Sequence, residues 1–387
     1  MNAGRPIESL AAEVARARDA AVDYLAPTTS LTMELGPKAY RPAALPAVPD
    51  EFRRLLAKAT PKPLDENDSM TTPRLVLAGV DFPPFDIRKI AHRQIGARLG
   101  IPAKYYDRML QTAPELLTAN VNHWLHHKPE RRLVRTTDGS VRALLSDGYR
   151  SIDNHLVLEA ALPILMDKGR GLAVRSCELT ETRLYIQASS PRLRADIRVG
   201  DTVEAGIVIR NSEVGHGAFA VETMLYRLIC LNGMITGNAI KRYHVGSRLN
   251  GDGDEAGQYY RPDTVRADDE ALVLRVRDTV DAALSDEEFQ KSIRQLRRAT
   301  EDAVPPTAIS QTITEVTNRY TVTDGEKVGI LDRFILGSDL TRYGLIQAIT
   351  AQAHDASSYE RGVDFERFGG DLAAMPRKEW NQITRVA

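Results

Sequence analysis

The chain has 387 residues, with 51 Lys and Arg against 52 Asp and Glu, and a formal net charge of −1. A whole-molecule attraction for nucleic acid or anionic membrane is thereby excluded, so any such binding needs a local basic patch. Two cysteines without a CxxC spacing exclude a zinc site of the usual pattern, argue against a disulfide framework and fit a reducing cytoplasm, while no apolar run approaches the ~18 residues of a spanning helix.

Residues 6–25 read as one amphipathic helix, with Ile7, Leu10, Val14, Ala17, Ala21 and Leu25 on one face. Acidic residues appear early and no apolar segment follows, so this is not read as a secretion signal. From Pro27 to Pro73 prolines recur and periodicity is poor, apart from a short helix at Glu51–Lys58. That suggests an extended arm, either a linker or a partner-binding tail. Arg74–Val80 reads as a strand and Asp86–Leu99 as a helix stopped by Gly100. Pro102 and Pro114 open two more helices, the second running to about His126. Leu133–Thr136 and Val141–Leu145 form a hairpin about Asp138-Gly139, a strong turn signal between β-rich runs. A helix at Asn154–Asp167 precedes a second hairpin, Leu172–Thr180 with Arg183–Ser189. Thr202–Asn211 and Ala218–Val221 form a third, around Gly215–Gly217. Thr223–Leu231 reads as an apolar helix closed at Asn232-Gly233, which makes Val199–Met234 a central strand–turn–helix unit. Gly251–Asp254 is a solvated loop, and Pro305-Pro306 breaks the chain. Helices are expected at Asp263–Ala283, Asp286–Ala299, Thr307–Asn318, Glu326–Phe334, Thr341–Ala356 and Tyr359–Leu372.

The expected class is α+β: antiparallel hairpins forming a central sheet packed with helices, then a helical C-terminal part. Length suggests two or three units. They are placed at 1–73 (N-terminal helix and Pro-rich arm), 74–260 (α+β core) and 261–387 (helical region).

Basic residues concentrate from Lys128 to Arg150: Arg131, Arg132, Arg135, Arg142 and Arg150, with Tyr149 alongside. Alternate strand residues share a face, so Arg131, Leu133 and Arg135 point one way, and Arg132 and Val134 the other. Guanidinium forks match phosphate oxygens, and an aromatic ring can stack a base. A solvated sheet face with internal ion pairs accounts for the same residues. Arg192, Arg194 and Arg198 make a second basic run, which forms one groove with the first if the two hairpins are neighbours in a sheet. Lys241, Arg242, His244 and Arg248 are either a cationic lip or an exposed loop.

Glu213 and His216, in Asn211–Gly217, have the chemistry of a base and its orienting partner or of metal ligands. The two flanking glycines are equally well explained by a turn that needs positive φ. His123 and His127 stand four apart on a helix, a spacing that can hold a transition metal, but no H-E-x-x-H pattern is present. Histidines at a helix C-terminus also suit its dipole. Cys230 reads as a core thiol. No metal site, cofactor or catalytic residue is assigned.

Five stretches together resemble the phage/plasmid-like proteins grouped as domain of unknown function 932. They are Leu99–Pro102 with Tyr105 and Tyr106; Leu144–Arg150 followed by Ile152–Asn154; Val199–Gly206 through Asn211–Glu213; Tyr226–Met234; and Thr341–Leu345 through Ala348–Thr350. The resemblance covers roughly Leu75 to Met375 and implies a mobile-element setting, without bringing an established activity.

The expected function is nucleic-acid binding by a mobile-element protein. The partner is single-stranded DNA, bound during recombination or replication by a homo-oligomer that does not enter membranes. Alternatives are a metal-assisted hydrolase using Glu213 and His216, or a protein-interaction module countering host defence through the N-terminal arm.

Overall fold

The computed structural model describes residues 4–37, 71–149, 152–242 and 262–384. They form two compact units, residues 20–149 and residues 1–19 with 150–387. Among the described residues no helix is long and apolar enough to cross a membrane.

The helix expected over 6–25 is shorter. It is α1 (Ile7–Asp19), which belongs to the larger unit, and the chain then becomes strand β1 (Ala21–Pro27) of the smaller one. Val22, Tyr24 and Leu25 favour a pleated surface, and β1 finds a partner strand to pair with. The expected arm is likewise structured at both ends. Its flanks are β2 (Leu31–Pro37) and β3 (Thr71–Leu77), paired antiparallel from Leu31↔Leu77 to Pro37↔Thr71. Position 73 thus lies inside a strand. The Glu51–Lys58 helix falls outside the described residues.

The smaller unit continues through β4 (Phe85–Ile87), α2 (Lys89–Arg98), α3 (Ala103–Thr112), α4 (Pro114–His127), β5 (Arg131–Thr137) and β6 (Ser140–Ser146). Its six strands run β1-β5-β6-β4-β3-β2 and pair antiparallel except β4 with β6. The β5–β6 hairpin turns where expected, with Asp138 and Gly139 both at positive φ, 49° and 66°. That is the geometry of a primed turn, and a Gly in its second place relieves the strain. Leu31, Met33, Leu75, Phe85, Ile95, Tyr106, Val121 and Val134 form the core between sheet and helices.

The larger unit holds α5 (Asn154–Leu165), β7 (Ala173–Leu179), β8 (Leu184–Asp196), β9 (Thr202–Asn211), β10 (Phe219–Arg227) and β11 (Asn232–Arg242). Helices follow: α6 (Pro262–Ala283), α7 (Asp286–Ala299), α8 (Ile309–Arg319), α9 (Asp324–Leu336), α10 (Arg342–Ala351), α11 (Tyr359–Ala374) and α12 (Arg377–Ile383). The five strands form an antiparallel meander, β11-β10-β9-β8-β7. The apolar run Thr223–Leu231 is therefore no helix. Its first five residues are strand, and the central unit is strand–turn–strand–turn–strand. Val221 and Leu225 pack on one face of the sheet while Met224 and Tyr226 pack on the other. A strand buried on both faces reads as an unbroken apolar run, which periodicity cannot separate from a helix.

One sheet face packs Ile186, Ile207, Ile209, Phe219 and Val221 against α1, α5 and α6. Farther along, Val203, Ala205, Leu225 and Met234 join residues of α7, α10 and α11. The opposite face meets α11 through Tyr359 and Val363. The approach is very close at Gly370, where a Cβ would lie 1.7 Å from the Ile235 carbonyl oxygen. Arg342, itself buried, donates to the carbonyls of Leu372, Ala373 and Met375 and so closes the C-terminus of α11.

Candidate functional site

The arginines proposed from sequence fall in two different sheets. In the smaller unit, Arg131 is exposed at the start of β5. Arg132 pairs with Glu130. Arg135 is only 2 % exposed and bonds both carboxylate oxygens of Asp23, its cross-strand partner on β1. Arg142 is buried on β6, 3.9 Å from the same carboxylate. Tyr149 is half-buried in the turn after β6, where its N–H donates to the Ser146 carbonyl. Arg150 lies outside the described residues. Of this hairpin's charges, Arg135 and Arg142 are held inside the fold by one aspartate.

In the larger unit, Lys241 and Arg242 end β11, and their side chains lie outside those described, as do His244 and Arg248. Arg198 is exposed in the β8–β9 turn. Its guanidinium bonds Asp339 at 2.7 Å and lies over the Tyr343 ring. Arg192 and Arg194 are exposed on β8.

The surroundings of Arg192 and Arg194 are built by two irregularities on neighbouring strands. Between the pairs Ser190↔Ala205 and Arg194↔Glu204, β8 inserts Pro191, Arg192 and Leu193 without partners on β9. Pro191 has no N–H to give to a ladder, so the pairing lapses there. On β7 the register shifts between Val174 and Ser176, leaving Arg175 as the extra residue. Bulges re-aim side chains, and these two bring Arg175 and Arg194 to the same residue of β9.

The focus of Arg175 and Arg194 is Glu204 on β9, whose side chain is wholly buried. Arg175 donates to it at 2.6 Å and Arg194 at 2.8–2.9 Å, and the Ser189 hydroxyl adds a 2.6 Å bond. Burial alone would push Glu204 up. The Ser189 hydroxyl and the Arg175 and Arg194 guanidiniums outweigh it and hold the carboxyl below its usual range. Arg175 also lies 4.8 Å above the Tyr226 ring, a cation–π contact. Arg192 reaches back over Gly171 and donates to the Gly169 carbonyl. Two guanidiniums thus hold one carboxylate, and the side chain of Arg194 remains 52 % exposed. The excess positive charge is pre-positioned to receive an anion through charge-assisted hydrogen bonds.

Sequence reasoning missed Arg175, Glu204 and Tyr226. Arg175 sits in an ordinary alternating hairpin by pattern, and only the bulge directs it here. Glu204 faces Arg194 across the β8–β9 pairing, which needs the register to be known.

The Asn211–Gly217 stretch has a structural task. Glu213 accepts from the Asn154 N–H at 2.5 Å, satisfying a backbone donor at the start of α5. Asn211 donates to the Ile152 carbonyl and the Asn154 side chain. His216 is exposed, and its carbonyl accepts from Arg183. Among the described residues no group of three or more His, Cys, Asp or Glu side chains could hold a metal. Cys177 is buried, while Cys230, expected as a core thiol on an apolar helix, stands half-buried in the β10–β11 turn, its Sγ 3.0 Å from Arg227.

A family model described as Domain of unknown function (DUF932) matches residues 142–367. That is more than half of the chain, and the chain belongs to this family. The matched segment runs from β6 into α11 and includes all five strands of the larger sheet with the arginine cluster. No curated protein and no solved structure matches.

Proposed function

We propose that this member of the family binds a single strand of DNA along the bulged corner of its five-stranded sheet, with Arg175, Arg192 and Arg194 contacting phosphates. The observation that carries the reading is the convergence of Arg175 and Arg194, from bulges on adjacent strands, on the buried carboxylate of Glu204, with exposed Arg192 in the same bulge of β8. Arginines on strands i and i+2 stand about 7 Å apart. Arg192 and Arg194 therefore offer two separate forks along one strand rather than a single point charge. Leu193 and Ala195 anchor that strand by packing onto the apolar core beneath. The mobile-element setting, action in recombination or replication, assembly of copies and a cytoplasmic location are part of the same proposal and rest on the family resemblance.

Fluorescence anisotropy with a labelled mixed-sequence DNA oligonucleotide tests it. Three phosphate contacts to a single strand give a log–log salt slope near −2, so affinity drops about 20-fold from 50 to 200 mM salt. Arg192→Ala removes one contact and reduces that drop to about 7-fold. Absence of salt-sensitive binding at 50 mM ends the proposal, and equal or tighter binding of RNA would redirect it.

A further inference from the structure

The larger unit does not absorb one pattern singled out in the sequence, the histidines at the end of α4 in the smaller unit. His123 and His127 stand one helical turn apart, His127 being the last residue of the helix. Both are exposed. Their rings lie nearly parallel, 21° apart in plane, with centroids 4.9 Å from each other. His126, between them in sequence, points elsewhere and bonds the Leu31 carbonyl of β2. No hydrogen bond ties down the imidazole nitrogens of His123 or His127 among the described residues, and Lys128 beside them is 3.9 Å from Glu130.

We infer that His123 and His127 form a two-histidine chelate for a divalent first-row transition ion. A ligating imidazole nitrogen sits about 2.0–2.1 Å from such an ion, which places the ring centroid about 3.2 Å from it. Two rings on one ion, at nitrogen–metal–nitrogen angles between about 90° and 109°, then have centroids about 4.5–5.2 Å apart. The observed 4.9 Å falls inside that interval before any metal is added. An ion lies in the plane of each ring that binds it, so the stacked rings must turn about their exposed side-chain bonds to converge on one, which i and i+4 side chains on one face of the helix can do.

The electrostatics favour a cation at this place. The 14-residue helix α4 ends at His127, so its last carbonyls and the negative pole of its dipole lie under the site. Imidazole pairs favour Cu(II), Ni(II) and Zn(II) over Mg(II) and Ca(II), which prefer oxygen. The order of affinity among the former follows the Irving–Williams series, with Cu(II) tightest. The two side chains supply two positions, and water fills the rest.

The molecule carries its own reporter. Trp124 packs edge-on to both rings, with centroids 5.0 Å from His123 and 6.3 Å from His127, and is 43 % exposed. Trp380, the other tryptophan, is 1 % exposed and serves as background. A paramagnetic Cu(II) ion on the pair quenches Trp124.

The experiment titrates Cu(II) into metal-free full-length protein and reads tryptophan fluorescence, with calorimetric titration of Zn(II) as a second readout. Saturable quenching is expected in the wild type, at least tenfold weaker in His123→Ala or His127→Ala, and lost in the double variant. Both side chains are exposed, so unchanged thermal melting of the variants establishes that the fold is intact. If the double variant binds either ion as tightly as the wild type, the inference is overturned.

Discussion

Glu366 offers the sharpest quantitative test of the larger unit. It lies on α11 with no exposed surface. Its Oε2 accepts from the Gln187 amide at 2.7 Å and its Oε1 from the Gly233 N–H at 3.1 Å. Burial pushes its carboxyl up to about 7, against the smaller opposing effect of those two donors. Glu204 and Glu222, buried alongside on the sheet, each have two arginines. Glu366 has only neutral donors in direct contact, which is why burial wins there. A rise from 4.5 to about 7 corresponds to roughly 3 kcal/mol of linkage. The sign follows from the raised value. The folded state holds its proton more tightly than the unfolded chain, so this stability is fully present below about 4.5. It is lost as pH rises toward and through about 7. Glu366→Gln keeps the shape and removes the titration. Its carboxamide oxygen can still accept from Gly233, and its NH2 can serve Gln187 Oε1, which has no partner in the wild type. Urea unfolding from pH 5 to 8.5 should show the variant within about 1 kcal/mol of wild type at pH 5 and about 3 kcal/mol more stable at pH 8.5. Parallel curves for the two proteins would refute a protonated, uncompensated Glu366.

Two further outcomes follow from packing and charge. Gly370→Ala drives a Cβ against the Ile235 backbone oxygen, which no rotamer change relieves; a loss of about 3 kcal/mol or more, or failure to fold, is expected in thermal melts, and a change under about 1 kcal/mol would mean that α11 slides freely on the sheet. Asp23→Ala removes the carboxylate that compensates buried Arg135; a destabilisation of about 3 kcal/mol by urea unfolding identifies that arginine as part of the fold, whereas a neutral result would release it for binding.

Much of the architecture was legible from local chemistry. The Asp138-Gly139 turn, the Leu172–Ser189 hairpin and the expected helices from Asp263 to Leu372 stand where their patterns place them, because turn residues, breaks and, for most of these helices, one wet face mark them; the closing helix α12 was not expected. Thr323 and Glu326 even complete a capping box, each satisfying the other's backbone N–H. The candidate site was legible only in part. Arg192 and Arg194 were visible as a basic run, but Arg175 was not, since a bulge has no signature in alternation.

By itself the sequence determined the α+β class, the family and the hairpins, where the contrast between water and core leaves a period in the residues. Only tertiary structure decided that Thr223–Arg227 is a strand, because burial on both faces erases that contrast. It alone decided that Arg135 turns inward to Asp23 while Arg175 and Arg194 converge on Glu204. Whether a guanidinium meets solvent or a carboxylate depends on register and bulges between segments distant in the chain, and no local pattern encodes them.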